Sequence, residues 1–264
     1  MAGLDMLNVE EQASTRSAPA PTGRTMRALK IEAEGPVTSF RYPHFMWQVH
    51  PTFDMPPPAT IYGHICSAVG DWIDPASVRF AYRFTFESKG EDLEHIHVGD
   101  MVMPFHRELL FRPRLTLYLD RPDLMDAFLR PHYAVVLGRS QDLFTYTRVA
   151  EIELVQEDRA YYEHTLLPYS MAARSTQGVV VLMPRYVDYS QGRFPTFERY
   201  LVLHTRIVAD PQSGHGLLYF GSEDQPLHWV DPEERDRDGV GRGVIWHTFV
   251  GGAETQNENE GGEG

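Results

Sequence analysis

Arg41, Tyr42 and His44 stand within four positions of one another, and Thr60, Tyr62 and His64 alternate just after a run of three prolines. Arginine's planar fork suits bidentate contact with phosphate or base edges. Tyrosine and histidine rings stack on splayed bases, and hydroxyls reach phosphate oxygens. A second basic group holds His106, Arg107, Arg112 and Arg114 with only Glu108 against it, and a third lies in the turn Leu137-Gly-Arg-Ser-Gln-Asp142, where Arg139 and Ser140 could hold a phosphate. These residue types point to a nucleic-acid or phosphate-ligand site. They also meet the needs of a metal-independent ribonuclease, in which a His or Tyr takes the 2′-hydroxyl proton and a cation stabilises the developing charge. Tyr42, His44, Tyr62, His64 and His106 are the candidates for that chemistry, and these residues alone leave binding and cleavage both open. Phe45 and Trp47 either stack on bases or anchor their loop in the core.

Other chemistries lack their residues. The twelve histidines show no zinc spacing, since His95 and His97 make at most two ligands. There is no HExxH, no paired CxxC, no phosphate-binding Walker loop and no Gly-x-Ser-x-Gly elbow. No metal or cofactor is expected. Cys66 is the single cysteine, which rules out an intramolecular disulfide.

The 264 residues carry a net charge of −13. Residues 1–25 sum to −1 and residues 251–264 to −4, which leaves −8 on the body. A broad basic surface is therefore excluded, and any contact with nucleic acid must be local. Of the 24 basic residues only Lys30 and Lys89 are lysines, a bias that base composition of the gene would also produce. No apolar run approaches the roughly 20 residues needed to cross a bilayer, and the first residues lack the basic-then-apolar layout of a signal peptide. A cytoplasmic protein without membrane contact is expected.

The elements that must position these residues are legible in part. Residues 1–25 read as a disordered extension and 251–264 as a disordered acidic tail. Between them, Arg27–Glu34 alternates as a half-buried strand, with Leu29, Ile31 and Ala33 on one face. The Gly35–Gly70 stretch contains a loop long enough to be functional, feeding a helix whose start offers N–H groups to a phosphate. Ile61, Ile65, Val69 and Trp72 recur at helical spacing, and Gly63 and Gly70 lie where another backbone could approach. Val78–Phe86 alternates as a second strand, a charged stretch follows from Glu87 to about Leu110, and Phe111–Leu119 is a third strand. Pro122 opens a short helix, and Ala134–Leu137 reads as a fourth strand. The order β-α-β-β-α-β predicts an α+β, ferredoxin-like (RRM-like) domain over 26–138. Its open face would carry Lys30, Glu32, Arg79, Arg83, Arg112 and Arg114, either as an RNA-contacting sheet or packed on the second half through salt bridges. Residues 139–250 read as a β-rich subdomain, with strands near 148–155, 179–183, 200–208 and 243–250. Asp231–Gly239 reads as an exposed loop.

Taken together, Gly35-Pro-Val-Thr-Ser-Phe40, Pro-Pro-Pro-Ala-Thr-Ile-Tyr-Gly63, Ala68-Val-Gly70 and Leu137-Gly-Arg-Ser140 resemble CRISPR-associated protein family five. These are RAMP-type subunits of type I Cascade effector complexes, and the spacing is similar to the I-B variant over residues 26 to 250. The resemblance implies a β-hairpin thumb at about 87–110 and a non-catalytic RNA-binding role that caps the 5′ handle of the CRISPR RNA (crRNA). It implies contacts with the Cascade backbone and large subunits, and with target DNA through the complex. It places the handle against the Arg41–His44 loop, the Thr60–His64 helix start and the Arg139–Ser140 turn. One branch of the family cleaves repeat RNA with a tyrosine and a Lys-His pair; no adjacent Lys-His pair occurs here, which departs from that branch.

Overall fold

The computed structural model describes residues 24–44, 49–99, 101–175, 177–190, 192–209 and 227–251. Phe45 and Trp47, nearly all of the N-terminal extension and all but the first residue of the acidic tail lie outside them. The chain is α+β and strand-rich, with few helices. Its strands are β1 (Thr25–Glu34), β2 (Val37–Thr38), β3 (Val49–His50), β4 (Arg79–Thr85), β5 (Ser88–Val98), β6 (Met101–Phe111), β7 (Arg114–Leu119), β8 (Thr145–Glu157), β9 (Ala160–Tyr162), β10 (Thr165–Pro168), β11 (Val179–Asp188), β12 (Phe194–Leu203), β13 (Ile207–Ala209), β14 (His228–Arg235), β15 (Gly241–Gly243) and β16 (His247–Thr248). Helix α1 spans Pro58–Val69 and α2 Met125–Leu129. Among the described residues no helix is long and apolar enough to cross a membrane.

A nine-stranded mixed sheet runs β13-β9-β15-β14-β8-β1-β7-β4-β16. Within it β8, β1, β7 and β4 are mutually antiparallel neighbours. Leu29, Ile31 and Ala33 of β1 point with Phe80, Tyr82 and Phe84 of β4 into one core, which Ile61 and Ile65 of α1 and Phe128 of α2 close. Leu166, Met183, Tyr200 and Val202, from a second sheet ordered β10-β12-β11, enter the same core. The main sheet thus draws strands from both sides of residue 138.

Residues 134–137 are not a strand: they make one isolated bridge, Val136 with Leu143. Their backbone is taken up locally, with the Leu137 N–H donating to Asp142 O and the Phe144 N–H to Val135 O. The strand beside β1 is β8.

Nor is the segment 231–235 an exposed loop. It belongs to β14, and Asp231 is fully buried. The second face of the sheet is therefore ion-paired. Lys30, 1 % exposed, places Nζ 2.6 Å from Asp231 and 3.2 Å from Glu234. Burial works against the Lys30 charge, but the Asp231 hydrogen bond and charge more than offset it and raise its pKa. Arg83 and Arg242 also meet Glu234, and Arg148 meets Glu233. Of the expected row, Lys30 and Arg83 are packed through salt bridges on the second half, whereas Arg79, Arg112 and Arg114 meet Asp120, Glu87 and Glu34 of the first.

Candidate nucleic-acid interface

The described parts of the Gly35–Pro57 segment are less irregular than its sequence reads, because a hairpin grips them. β5 and β6 pair in continuous register from Ser88 with Phe111 to Val98 with Met101. β6 also takes β2 antiparallel and β3 parallel, the latter setting His50 opposite Arg107. Side chains add to the grip: Thr52 Oγ1 accepts the Phe40 N–H at 2.7 Å, and Glu108 accepts the Thr52 N–H and meets Lys89 at 2.9 Å.

The turn 137–142 docks on the same segment. Thr38 Oγ1 donates to Leu137 O at 2.5 Å. Gly138 has φ +100°, and a Cβ there would run into Thr38 Oγ1 and lie 2.8 Å from Ser39 O, so only glycine fits. Asp142 is completely buried and accepts the backbone N–H groups of Ser39 and Arg139 at 3.2 and 3.0 Å, plus the Arg139 Nη2 at 2.7 Å.

A cleft of about 310 Å³ opens between these parts. Arg41, Thr60, Arg107 and Arg139 line it, with Ser39, Phe40, Pro43, Pro57, Gly138 and Pro184. Arg41 is exposed and has no ion pair among the described residues. Arg107 is buried, ion-paired to Glu94 of its own hairpin, and donates Nη2 to His50 Nδ1 at 3.0 Å. Burial, and then the charges of Arg107 and Arg41, lower the pKa of His50 and keep it neutral. Arg139 completes the set, held by Asp142 and 3.6 Å from Glu94. The Ser39 hydroxyl is buried on the wall without a partner among the described residues. Three arginines against Glu94 and Asp142 leave one net positive charge, shaped to receive an anion.

The helix start contributes less than expected. Pro57 and Pro58 have no N–H, and the N–H groups of Thr60 and Ile61 both donate to Pro57 O. Charge in the cleft comes from arginine rather than from the α1 terminus.

The other expected site residues go elsewhere. Tyr62 is a core residue: its hydroxyl donates to Ile73 O at 2.5 Å, its ring packs on Tyr186 and Phe249, and burial raises its pKa far above that of a free phenol. His64 is equally spent. Its Nδ1–H donates to Val136 O at 2.9 Å, its Nε2 accepts from Tyr146 at 3.0 Å, and burial lowers its pKa. Both side chains point into packing because α1 is covered by β11 and by the 133–146 segment. Tyr42 stacks on Phe53 with centroids 3.7 Å apart, half-buried beside the cleft. His44 is exposed, 5.1 Å from the Phe197 ring. Ser140 is exposed next to Arg139 and bonds Gln141. Arg112 is exposed near Glu87, and Arg114 lies with Arg83, Glu32, Glu34 and Glu234 in a separate depression of about 260 Å³. His106 is exposed, 3.7 Å from Glu91. Among the described residues no cluster of histidine, cysteine and carboxylates could hold a metal.

Sequence reasoning missed Ser39, His50, Glu94 and Asp142. Ser39 and Asp142 stand inside motifs already singled out, and an aspartate three positions after a Gly-Arg pair is the available signal. Glu94 and His50 gave none, because their role depends on the hairpin's register.

No family model matches the sequence, and no curated protein does. Among solved structures, the chain is similar to a chain of a CRISPR RNA-guided surveillance complex at 14% identity, covering 69% of this chain and 91% of that one, with a TM-score of 0.47. It is similar to a CRISPR protein from Archaeoglobus fulgidus at 11% identity, covering 69% and 91%, with a TM-score of 0.41. A Cas protein shares 15% identity over 69% of this chain and 94% of its own, with a TM-score of 0.35. Likenesses at this level carry no conclusion about function.

Proposed function

We propose that this chain is a non-catalytic, cytoplasmic RNA-binding subunit of a type I, I-B-like CRISPR Cascade complex, in which it caps the 5′ handle of the crRNA. One observation carries the reading. Three stretches on which the family resemblance rests, Gly35–Phe40, Pro56–Gly63 and Leu137–Ser140, are far apart in sequence and meet at one arginine-lined cleft. The sequence of β1, α1, β4, β7, α2 and β8, with sheet neighbours β8-β1-β7-β4, supports a ferredoxin-like core. The β5–β6 hairpin is the thumb of that reading.

In this arrangement Arg41 meets a handle phosphate without first giving up an ion pair. Arg107 and Arg139 are oriented by Glu94 and Asp142 and add field with little loss of side-chain freedom. Tyr42 and His44 lie on the approach, where bases could stack. The backbone and large subunits would supply the positive charge that an acidic chain lacks, and target DNA would be reached only through the assembled complex.

The test is handle affinity of the complex reconstituted with its partner subunits. Arg41→Ala should weaken binding about tenfold or more, the worth of one charge-assisted hydrogen bond, while assembly persists. Unchanged affinity in both Arg41→Ala and Arg139→Ala would sink the reading. Cleavage of repeat RNA by the isolated chain in chelator would replace it with an endoribonuclease, for which Tyr62 and His64 are too buried to serve.

A further inference from the structure

A second cleft, of about 290 Å³, lies at the opposite end of α1 and is lined by Gly63, Cys66, Ser67, Gly70, Asp71, Trp72 and Tyr133. We propose that it receives an arginine side chain presented by a partner protein. The inference goes beyond handle binding and rests on features of this end of the helix alone.

Three features favour a cation, and each has a different origin. The cleft sits at the C-terminal turn of α1, the negative end of the helix dipole, and that turn has no basic residue. Asp71 stands on the rim and accepts the Trp72 N–H at 2.7 Å; among the described residues it has no ion pair. Other described carboxylates, Asp74, Asp92 and Asp238 among them, also lack one, but Asp71 is the one that lines this cleft. The walls are aromatic and open, with Trp72 55% and Tyr133 59% exposed. Trp72 was expected to continue the apolar face of the helix, but α1 ends before it, at Gly70.

The geometry selects a planar cation over a compact one. Arg193 lies over the Tyr189 ring, 5.7 Å from its centroid, and Tyr189 packs against Trp72 with centroids 4.0 Å apart. Trp72 is stacked on Tyr62 as well, with centroids 6.2 Å apart, so its ring is held rigidly where it lines the open cleft together with Tyr133. A guanidinium entering the cleft would lie against these aromatic walls and reach Asp71 with its edge. Tyr133 is held in place because its N–H donates to Ser67 O at 3.3 Å and the His132 N–H to Ala68 O at 3.0 Å. Gly63 leaves the floor clear, for a Cβ there would meet nothing within 4 Å. A nucleotide fits less well, since no lysine or arginine lines the cleft to meet its phosphate.

The full-length chain can be titrated with N-acetyl-arginine amide, the lysine amide, the neutral citrulline amide and adenosine monophosphate, read by tryptophan fluorescence. The arginine amide should give a saturable response, with citrulline about fivefold weaker and lysine between them. Trp72→Phe should abolish the response. Asp71→Asn should weaken arginine about fivefold and leave citrulline unchanged. Both side chains are exposed, so these variants fold. Citrulline binding as tightly as arginine, indifference to Asp71→Asn, no response to arginine, or tighter binding of adenosine monophosphate would each overturn the proposal; the last would make this a base-stacking site.

Discussion

Asp142 is the residue on which the arginine-lined cleft depends most, although it makes no direct appeal as a ligand. Its two oxygens collect the Ser39 N–H, the Arg139 N–H and the Arg139 guanidinium in a fully buried position. An asparagine of the same shape keeps one acceptor oxygen but loses the charge, and turns its other end into a donor facing donors. Asp142→Asn should therefore cost about 2–4 kcal/mol of folding stability, the sum of charge-assisted hydrogen bonds lost and a buried group left unmatched. Urea denaturation of the isolated chain measures this, and a variant as stable as the parent would remove Asp142 from its assigned role. At this scale sequence was informative where chemistry is local. Arg41 beside Tyr42 and Arg139 after Gly138 are local groupings visible in the chain, and both side chains line the cleft. Tyr62 and His64 could not be read correctly, because their hydroxyl and ring nitrogens are satisfied by Ile73, Val136 and Tyr146, and nothing in the helix itself announces those partners.

The elements β1 and β14 show how a face that looks open is closed. Lys30 and Asp231 are separated by 201 positions in sequence, and both are shielded from water. Asp231 also accepts the Tyr118 hydroxyl at 2.8 Å and the Glu233 N–H at 2.9 Å, so the pair is embedded in a network. Breaking one side strands the other charge in a poorly solvated place, which costs about 3–5 kcal/mol, whereas replacing both sides with apolar groups is often near neutral. Lys30→Met alone should lower stability by that amount, and the Lys30→Met/Asp231→Leu pair should recover most of it. Equal loss in the single and double variants, by chemical denaturation, would mean that the network rather than the pair holds β14 to the sheet. The strand periods of β1 and β4 were legible because alternation is a local signal, whereas the hairpin at 88–111 reads only as a charged stretch and is implied by the family resemblance. β14 was not: Asp-Pro-Glu-Glu-Arg reads as a solvated loop until its cations arrive from β1, β4, β8 and β15.

For the whole molecule, charge distribution decides what the chain can bind by itself. A body of −8 repels nucleic acid at long range, and on most described surfaces arginines and carboxylates are already paired. Sequence composition gave this sign correctly, but it could not say where the exceptions lie, because pairing is settled by register between distant strands. The structure leaves three arginines converging on one cleft, and only Arg41 among them lacks an ion pair among the described residues. The salt dependence of RNA binding counts such contacts, since each phosphate neutralised releases counterions and steepens log K against log salt by about 0.7 for a single strand. If the three cleft arginines make the phosphate contacts, the isolated chain should bind a handle oligonucleotide with a slope near about −2. Arg41→Ala should lower its magnitude by about 0.7, because that guanidinium is free to take a phosphate. Glu94→Gln should act in the opposite direction on affinity, since it releases Arg107 and Arg139 from a competing carboxylate that a phosphate would otherwise have to displace. A slope steeper than about −4 would require phosphate contacts beyond this cleft, and a slope near zero would mean that the cleft reads something other than a polyanion.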